Sequence, residues 1–408
     1  MLKENNVPKL RFKDFEDEWG ANLAKDLCEF SKGKGFSKND LTNDGKPILL
    51  YGSMYTNFKN TLSSVKTFVN NIKIEACYSK TGDVVVPSSG ETRDDIARAT
   101  NIDANNIILG GDLNILHPNN ELNSSFLSLS ITYGKGHKRL SRLAQGNSVV
   151  HLYNSDLKTL KIVYPSVYEQ QKIGSFFEKI DKIIELQIKN LEQLKKLKQG
   201  YLQKMFPQDG ELVPRLRFSG FSDEWKKLSL NNIGTIVTGN TPSKKDKDNY
   251  GGNNLWITPS DIDSDSTYIN DSVTMLSDRG KQISKIVPKD SILVTCIASI
   301  GKNALSNCEL SINQQINALI PKENFDSYFL LNLSNQWSIE MNNLTSNASL
   351  KIINRTEFSK IETLVPEFEE QQKIGAFFSK LDQLINNQSK KIEALKQEKR
   401  FYLQKMFI

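Results

Sequence analysis

Two long charged segments of the chain place apolar residues every three or four positions, which is the spacing of one face of an α-helix. Each segment keeps a heptad pattern over several turns, and a proline precedes each, at Pro165 and Pro366, where proline is tolerated. Each segment is therefore predicted to be a helix that buries one apolar seam against a partner helix. The seam positions are Ile173, Phe177, Ile180, Ile184, Leu191 and Leu194 in the first segment and Ile374, Phe378, Leu381, Ile385, Ile392 and Leu395 in the second.

Polar residues interrupt the two seams at equivalent places. Gln187 and Lys198 lie in the first, and Gln388 and Lys399 in the second. Buried polar seam residues often set the register and the number of helices in a coiled coil. Simple tolerance at an exposed edge is the other interpretation, and the sequence leaves both open.

The chain repeats itself. Residues 7–19 (VPKLRFKDFEDEW) return at 213–225, residues 169–181 (EQQKIGSFFEKID) return at 370–382, and YLQKMF at 201–206 returns at 402–407. The stretches between these repeats match only faintly, which indicates a duplicated framework with two different inserts. We expect a lead-in and first domain over 1–166, a helix over 167–206, a second lead-in and domain over 207–366, and a helix over 367–408.

The two inserts are predicted to be mixed α and β. Short β-branched runs at 48–51, 83–87, 255–258 and 291–297 indicate buried strands. The stretch 327–334 is a candidate helix. The predicted fold class is α+β, with two such domains joined by two long antiparallel coiled-coil helices in an internal repeat of approximate two-fold symmetry.

Composition excludes several classes of protein. The 408 residues are 38% hydrophobic and 25% charged, with a formal net charge of +6. No stretch approaches the length of about 20 apolar residues that spans a bilayer, and the first residues lack a secretory signal's apolar region, so we expect a cytoplasmic protein without membrane contact. The four cysteines form no CxxC pair and there are three histidines, so no metal site is expected.

Catalytic motifs are missing from the sequence. There is no GxxxxGK[ST] nucleotide-binding loop. The 12 prolines are never adjacent, which excludes the Pro-Pro motif of adenine N6 methyltransferases. No Ser/His/Asp set has a recognisable local context, and no catalytic residue is predicted.

Basic and amide side chains are the candidate ligand-binding groups. Lysine can neutralise phosphate, and a side-chain amide can pair with adenine in the major groove. The alternatives are a solvated turn, surface charge and hydrogen bonding within the framework. The candidates are Lys32, Lys34, Lys38, Lys135, His137, Lys138, Arg139 and Arg142 in the first half and Asn240, Thr241, Ser243, Lys244, Lys245, Asn313, Gln314, Gln315, Lys351 and Arg355 in the second.

These repeats resemble those of the specificity subunits of type I restriction-modification systems, over essentially the whole chain. The Glu-Gln-Gln-Lys-Ile-Gly and Tyr-Leu-Gln-Lys-Met-Phe motifs carry the resemblance, together with Thr-Gly-Asn-Thr-Pro-Ser at 238–243. The resemblance implies that each variable domain binds one half of a bipartite, asymmetric site in double-stranded DNA. The helices would set the spacing and dock two modification (methyltransferase) subunits.

The resemblance also implies that this chain is not an enzyme and holds no cofactor. The modification subunits would carry S-adenosylmethionine and methylate adenine at N6, and restriction subunits would add ATP- and magnesium-dependent translocation and cleavage. A fused restriction-modification enzyme is excluded, since the chain has no room for those motifs. A coiled-coil scaffold that joins two protein-binding domains is the alternative.

Overall fold

The computed structural model describes residues 6–56, 58–146, 149–263, 267–346 and 351–408. These residues form two compact units: unit 1 consists of 1–188 and 391–408, and unit 2 of 189–390. The predicted mixture of α and β structure is confirmed in both units.

Unit 1 contains thirteen strands among its described residues. They are β1 (Gly20–Leu23), β2 (Cys28–Lys32), β3 (Lys46–Leu49), β4 (Thr61–Leu62), β5 (Phe68–Val69), β6 (Cys77–Tyr78), β7 (Asp83–Pro87), β8 (Ser89–Gly90), β9 (Thr100–Ile102), β10 (Ile108–Leu109), β11 (Leu113–Pro118), β12 (Val150–His151) and β13 (Lys161–Tyr164). Its helices are α1 (Ala24–Leu27), α2 (Ser53–Thr56), α3 (Arg93–Ile96), α4 (Ser124–Thr132), α5 (Gly134–Leu143) and α6 (Asn154–Lys158), followed by the long α7 (Val167–Met205), which ends in unit 2.

The described part of unit 2 contains β14 (Lys226–Ser229), β15 (Gly234–Thr238), β16 (Tyr250–Ile257), β17 (Tyr268–Ile269), β18 (Met275–Leu276), β19 (Ile286–Val287), β20 (Ile292–Thr295), β21 (Asn303–Ser306), β22 (Leu310–Ile312), β23 (Ile316–Pro321) and β24 (Glu362–Val365). Its helices are α8 (Leu230–Ile233), α9 (Asp278–Gln282), α10 (Ser327–Leu344), α11 (Arg355–Lys360) and the long α12 (Phe368–Met406), which ends in unit 1.

The two units have the same strand order. Unit 1 has a five-stranded sheet β2-β11-β7-β9-β4, a four-stranded sheet β5-β3-β10-β6 and the pair β1-β13. Unit 2 has β15-β23-β20-β21-β17, β18-β16-β22-β19 and β14-β24. Parallel pairs also recur, since β3 pairs with β10 as β16 pairs with β22. One topology therefore carries two divergent sequences.

The core of unit 1 shows why strand β7 has three consecutive apolar residues, Val84, Val85 and Val86. Val84 and Val86 pack in the same cluster as Phe126 of α4, whereas Val85 faces Leu49 of the four-stranded sheet. Because successive side chains of a strand point to opposite faces, the valines of a strand that is covered on both faces are all buried. The same layering recurs in unit 2, where α10 packs on β20 and β21.

Several elements lie where the sequence predicts them. Strand β7 spans the predicted 83–87, β20 lies within 291–297, and α10 begins at the predicted position 327. Helices α7 and α12 contain 39 residues each, which corresponds to a length of about 58 Å. Among the described residues, we find no helix with the length and apolar content needed to cross a membrane.

Candidate nucleic-acid interface

An arginine of the repeated lead-in anchors it to the start of α7 in unit 1. Arg11 Nε and one terminal nitrogen donate to the two carboxylate oxygens of Glu169 at 2.7 and 2.8 Å. The side chain of Glu169 is 1% exposed. Because two parallel hydrogen bonds from one guanidinium restrict orientation as well as distance, this pair fixes where the lead-in lies on the helix.

Unit 2 builds the same anchor from the second copy. Arg217 donates to Glu370 at 2.7 and 2.8 Å, and the Glu370 side chain is again 1% exposed. Hydrogen bonding to the carboxylate raises the pKa of both arginines, Arg11 and Arg217. The repeated Arg and Glu of the two motifs therefore have one shared structural role.

The glutamine after each of these glutamates joins the long helix to a helix of the insert. Gln170 accepts from the backbone N–H of Asn123 at 2.8 Å, and Gln371 accepts from that of Asp326 at 3.1 Å. Asn123 and Asp326 are the N-cap residues of α4 and α10. The long helix of each repeat thus fixes the position of its insert through α4 in unit 1 and α10 in unit 2.

The glycine of each EQQKIG motif lies where the insert helix, α4 or α10, packs against the long helix. A Cβ on Gly375 would lie 2.2 Å from Asp326 Oδ1, and one on Gly174 would lie 3.1 Å from the Cβ of Ser125. Each motif therefore has three roles. Its glutamate binds the arginine of the lead-in, its first glutamine bonds the N-cap residue of the insert helix, and its glycine leaves space where that helix packs.

The predicted seam residues of both helices are buried or half-buried. Ile173, Phe177, Ile374 and Phe378 are at most 2% exposed. Ile184, Leu381 and Ile392 are also buried, and Ile180, Leu191, Leu194, Ile385 and Leu395 are half-buried.

Within unit 1, the first half of α7 contacts the last turns of α12. Phe176 packs edge-on against Tyr402 with ring centroids 5.1 Å apart, and Phe177 lies 5.9 Å from Phe407. Lys399 Nζ lies 2.5 Å from Asp181 Oδ1. Phe176 contacts Tyr402, whereas Asp181, which lies later along α7, contacts Lys399, which lies earlier along α12. The two segments therefore run antiparallel within unit 1.

Unit 2 repeats these contacts with the helices exchanged. Tyr201 packs edge-on against Phe377 at 4.9 Å, and Lys198 Nζ lies 2.6 Å from Asp382 Oδ1. The two lysines that interrupt the seams are therefore ion-paired with the aspartates that end the repeated EQQKIG…D motif. The sequence contained the signal for these partners, because both members recur in both copies.

In unit 2 the structure brings the glycine- and lysine-rich loop against the turn between β22 and β23, which lie in different sheets. The Asn240 backbone N–H donates to Ile312 O at 3.0 Å, and the Thr241 hydroxyl donates to Gln314 Oε1. Ser243, Lys244 and Lys245 follow on the same loop and are exposed. Two candidate groups that are far apart in sequence thus form one surface.

The three amide side chains of this turn differ in their surroundings. Asn313 is 5% exposed and donates to Gln315 Oε1 at 3.2 Å, and its own Oδ1 accepts from the Gln315 backbone N–H at 3.0 Å. Gln314, between them, is exposed. For Asn313 and Gln315 the structure supports framework hydrogen bonding.

Two further candidates of unit 2, Lys351 and Arg355, are exposed. The Lys351 carbonyl accepts from the Ala298 N–H at 3.1 Å, and the nearby Cys296 N–H donates to Gln315 O at 2.8 Å. Lys351 therefore lies on a segment joined to the turn between β22 and β23 through one intervening loop. Arg355 begins α11.

In unit 1 the equivalent loop carries Lys32, Lys34 and Lys38, all exposed. The Gly33 N–H donates to Leu113 O at 2.9 Å and the Lys34 N–H to Leu109 O at 3.1 Å. These bonds hold the loop against the turn between β10 and β11, as the corresponding bonds do in unit 2.

The basic cluster of unit 1 lies on α5, which packs against α3 and α4. His137 is held on both ring nitrogens, by Ala97 O and Asp94 Oδ1, each at 2.8 Å, and Arg139 donates to Lys161 O at 3.2 Å. These two side chains serve the unit itself. The others of the cluster, Lys135, Lys138 and Arg142, are exposed.

One set of side chains in unit 1 was not recognised from sequence. Ser31 Oγ lies 2.8 Å from His117 Nε2, and His117 Nδ1 lies 2.7 Å from Asp83 Oδ1. The hydrogen bond to Asp83 raises the pKa of His117. The three residues belong to the adjacent strands β2, β11 and β7, so the set ties these strands together at one end. Across the described ranges, no cluster of three or more side chains suited to hold a metal ion is found.

Comparison with protein families matches both halves of the chain. The model of the type I restriction modification DNA specificity domain matches residues 16–196 and 222–397.

Curated relatives include two matched over part of their length. The type I restriction enzyme MjaIX specificity subunit of Methanocaldococcus jannaschii is 32% identical over 177 residues, 42% of this chain and 41% of that protein. The HindI specificity subunit of Haemophilus influenzae is 32% identical over 165 residues, 38% of this chain and 36% of that protein. The chain thus spans about two fifths of the length of these two. The putative MjaX specificity subunit of M. jannaschii is 22% identical over 412 residues, 98% of this chain and 95% of that protein.

Solved structures share the fold. The type I restriction-modification S subunit from M. genitalium superposes with a TM-score of 0.63 at 18% identity, covering 98% of this chain and 99% of the other. A chain from a structural study of complex assembly and conformational transition of the type I R-M system gives 0.58 at 18% identity, covering 95% and 97%.

Proposed function

Because the chain belongs to the type I restriction modification DNA specificity domain family, we propose that it is the DNA-specificity subunit of a type I restriction-modification complex. The family resemblance seen in its repeated motifs is confirmed. Each unit binds one half of a bipartite, asymmetric DNA site. The observation that carries this proposal is that one framework presents different loops: Lys34 and Gly111 in unit 1 occupy the places of Asn240 and Gln314 in unit 2.

The exposed basic side chains supply the sequence-independent part of binding. Lysine and arginine gain affinity by releasing counterions from phosphates, and this gain weakens as salt rises. The groups proposed for phosphate contact are Lys32, Lys34, Lys38, Lys135, Lys138 and Arg142 in unit 1 and Lys244, Lys245, Lys351 and Arg355 in unit 2.

The long helices act as an antiparallel coiled coil of approximate two-fold symmetry that spaces the two units and docks two modification subunits. The ring contacts and the Lys–Asp pairs found within each unit support the antiparallel arrangement. Both helices also carry apolar side chains that are more than a third exposed, and exposed apolar surface of this kind can bind a protein partner. These side chains are Ile183, Leu186, Ile188, Leu197 and Leu384.

Catalysis belongs to the partners in this proposal. The modification subunits bind S-adenosylmethionine and methylate adenine at N6, and restriction subunits add ATP- and magnesium-dependent cleavage. This chain determines which DNA sequence the complex methylates or cleaves. The complex acts in the cytoplasm.

The proposal is tested by sequencing methylated adenines in cells that express a modification subunit with and without this chain. A bipartite motif that appears only with the chain is expected. Replacing 226–366 with another insert of the family should change one half of the motif alone. A motif that persists without the chain, or no motif with it, contradicts the proposal.

The spacing role has its own test. Seven residues inserted into each long helix add about 10 Å, which corresponds to about three base pairs of B-DNA. The unspecified gap in the methylated motif is expected to lengthen by that amount. An unchanged gap together with normal methylation would show that the helices do not set the spacing.

A further inference from the structure

The tip of the turn between β22 and β23 in unit 2, residues 313–315, contains one amide side chain placed differently from its neighbours. Gln314 is exposed between Asn313 and Gln315, whose side chains hydrogen-bond to each other within the tip. Within the part of the chain that the structure describes, the only hydrogen bond found for the Gln314 side chain is the one that its Oε1 accepts from the Thr241 hydroxyl.

That single bond orients the amide and leaves its other hydrogen-bonding groups without a protein partner among the described residues. A carboxamide oxygen has two lone pairs and its nitrogen carries two donors. With Thr241 on one lone pair, Gln314 keeps one acceptor and two donors facing solvent. Thr241 in turn is held in place, because the neighbouring Asn240 side chain donates to Ile283 O at 2.9 Å and accepts from the Lys285 N–H at 2.6 Å.

The tip lies among cations. Lys244 and Lys245 follow Thr241 on the loop, and the Lys285 carbonyl accepts from the N–H of Ile312, the last residue of β22, at 3.2 Å. All three lysines are exposed. Two acidic residues of these loops have partners: Asp261 accepts from the backbone N–H groups of Thr258 and Val273, and Asp246 pairs with Arg279. An exposed, oriented amide within a rim of lysines is suited to contact a base edge while the rim holds phosphates.

Unit 1 has the equivalent turn, between β10 and β11, without that side chain. The hydrogen bonds of its loop place Gly110, Gly111 and Asp112 at the positions of Asn313, Gln314 and Gln315. A Cβ on Gly111 would meet only Phe36 O at 3.6 Å, an ordinary contact, whereas one on Gly110 would lie 2.4 Å from a methyl group of Leu50. Position 111 therefore has room for a side chain and position 110 does not.

We propose that Gln314, oriented by Thr241, reads one A·T base pair in the half-site bound by unit 2, and that unit 1 makes no equivalent contact because it has glycine there. The amide accepts from adenine N6 and donates to N7 in the major groove. This inference rests on the proposed function, since it assigns one residue of the specificity that the units provide.

The test uses the complex of the full chain with its modification subunit. The methylated motif is determined for the wild type, and binding is then measured at fixed salt to duplexes that carry each single base-pair substitution. A good bidentate contact discriminates by about tenfold to a hundredfold against the wrong base. Gln314→Ala should reduce this ratio to near one at a single A·T pair of one half-site and leave every position of the other half unchanged.

Gln315→Ala is the matched control, because its amide is engaged with Asn313 inside the tip. We expect it to keep every specified base of the motif. Gly111→Gln introduces the same side chain at the equivalent position of unit 1. It should add or change a base preference in the half-site bound by unit 1 and leave the other half-site unchanged.

Each result decides between the interpretations. The inference is wrong if Gln314→Ala keeps the wild-type discrimination, weakens it equally at all positions, or abolishes binding to all DNA. It is also wrong if Gln315→Ala rather than Gln314→Ala erases one specified base. A wild-type complex without any sequence preference would instead overturn the proposed function itself.

Discussion

Replacing Arg11 with methionine removes the cation that faces a fully buried carboxylate. Glu169 would keep its place at the start of α7, since its backbone lies in the helix, but both of its carboxylate oxygens would lose their arginine donors. Methionine preserves an unbranched apolar stem of similar length. The change therefore isolates the guanidinium group.

The magnitude follows from burial. The side chains of Arg11 and Glu169 are 11% and 1% exposed, so water cannot replace the lost donors at the carboxylate. Removing one partner of a buried ion pair costs about 3–5 kcal/mol, whereas replacing both with apolar groups is often neutral. We expect Arg11→Met to lower the free energy of unfolding of unit 1 by about 3–5 kcal/mol and Arg11→Met/Glu169→Leu to recover most of that loss.

The assay must resolve the two units, because a chain with two compact units need not unfold in one step. Amide hydrogen exchange read by mass spectrometry reports each unit separately. Faster exchange is expected in 6–56 and 58–146, with unit 2 as the internal reference, and Arg217→Met should reverse the pattern. A loss below about 1 kcal/mol, or a double variant as unstable as the single, would refute the reasoning.

Two other predictions concern single positions. Gly375→Ala forces a Cβ to 2.2 Å from Asp326 Oδ1 and should cost about 1 kcal/mol by disturbing the cap of α10, whereas Gly200→Ala, which meets nothing within 4 Å, should stabilise its helix by about 0.5–1 kcal/mol in denaturant titrations. His117 has a raised pKa because it hydrogen-bonds Asp83, so its contribution to stability is full below the ordinary histidine pKa and is lost as pH rises through the folded-state value. The melting temperature of unit 1 should therefore fall as pH rises above the ordinary histidine pKa of about 6.5 in the wild type but not in His117→Gln, and parallel slopes would contradict this.

The parts of the fold that could be predicted are those governed by local periodicity. The spacing of Ile173 and Phe177, or of Ile374 and Phe378, is visible in one segment, and these residues are buried as that spacing requires. Strand β7 could be predicted equally well, since its run of three valines, Val84 to Val86, is typical of a strand buried on both faces. In these cases the neighbours that matter lie within one or two turns of the chain.

Contacts between distant segments could be found only where the repeat revealed them. Arg11 and Glu169 are separated by 158 positions, and nothing in either local sequence pairs them. Both recur in the second copy, so their joint recurrence was the available signal. Ser31, Asp83 and His117 come together in unit 1 without a second copy, and sequence reasoning missed them.

The amides at 313–315 show the limit most clearly. In sequence, Asn313, Gln314 and Gln315 are three similar candidates. Their roles separate only in the folded turn, where the side chains of Asn313 and Gln315 bond to each other and that of Gln314 lies beside Thr241. Side-chain direction in a tight turn depends on the backbone of the whole loop, which a residue pattern does not specify.

The lysines in the helix seams show how charge can stabilise one arrangement of helices over others. Lys399 and Lys198 would each leave an unpaired cation if the register of the contacting segments shifted by one turn, because Asp181 and Asp382 would no longer face them. Leucine at these positions would pack in several registers with similar energy. A seam with one ion pair in each unit thus gives up some apolar burial and gains a single register. In a protein proposed to measure distance along DNA, a single register is the property on which the distance depends.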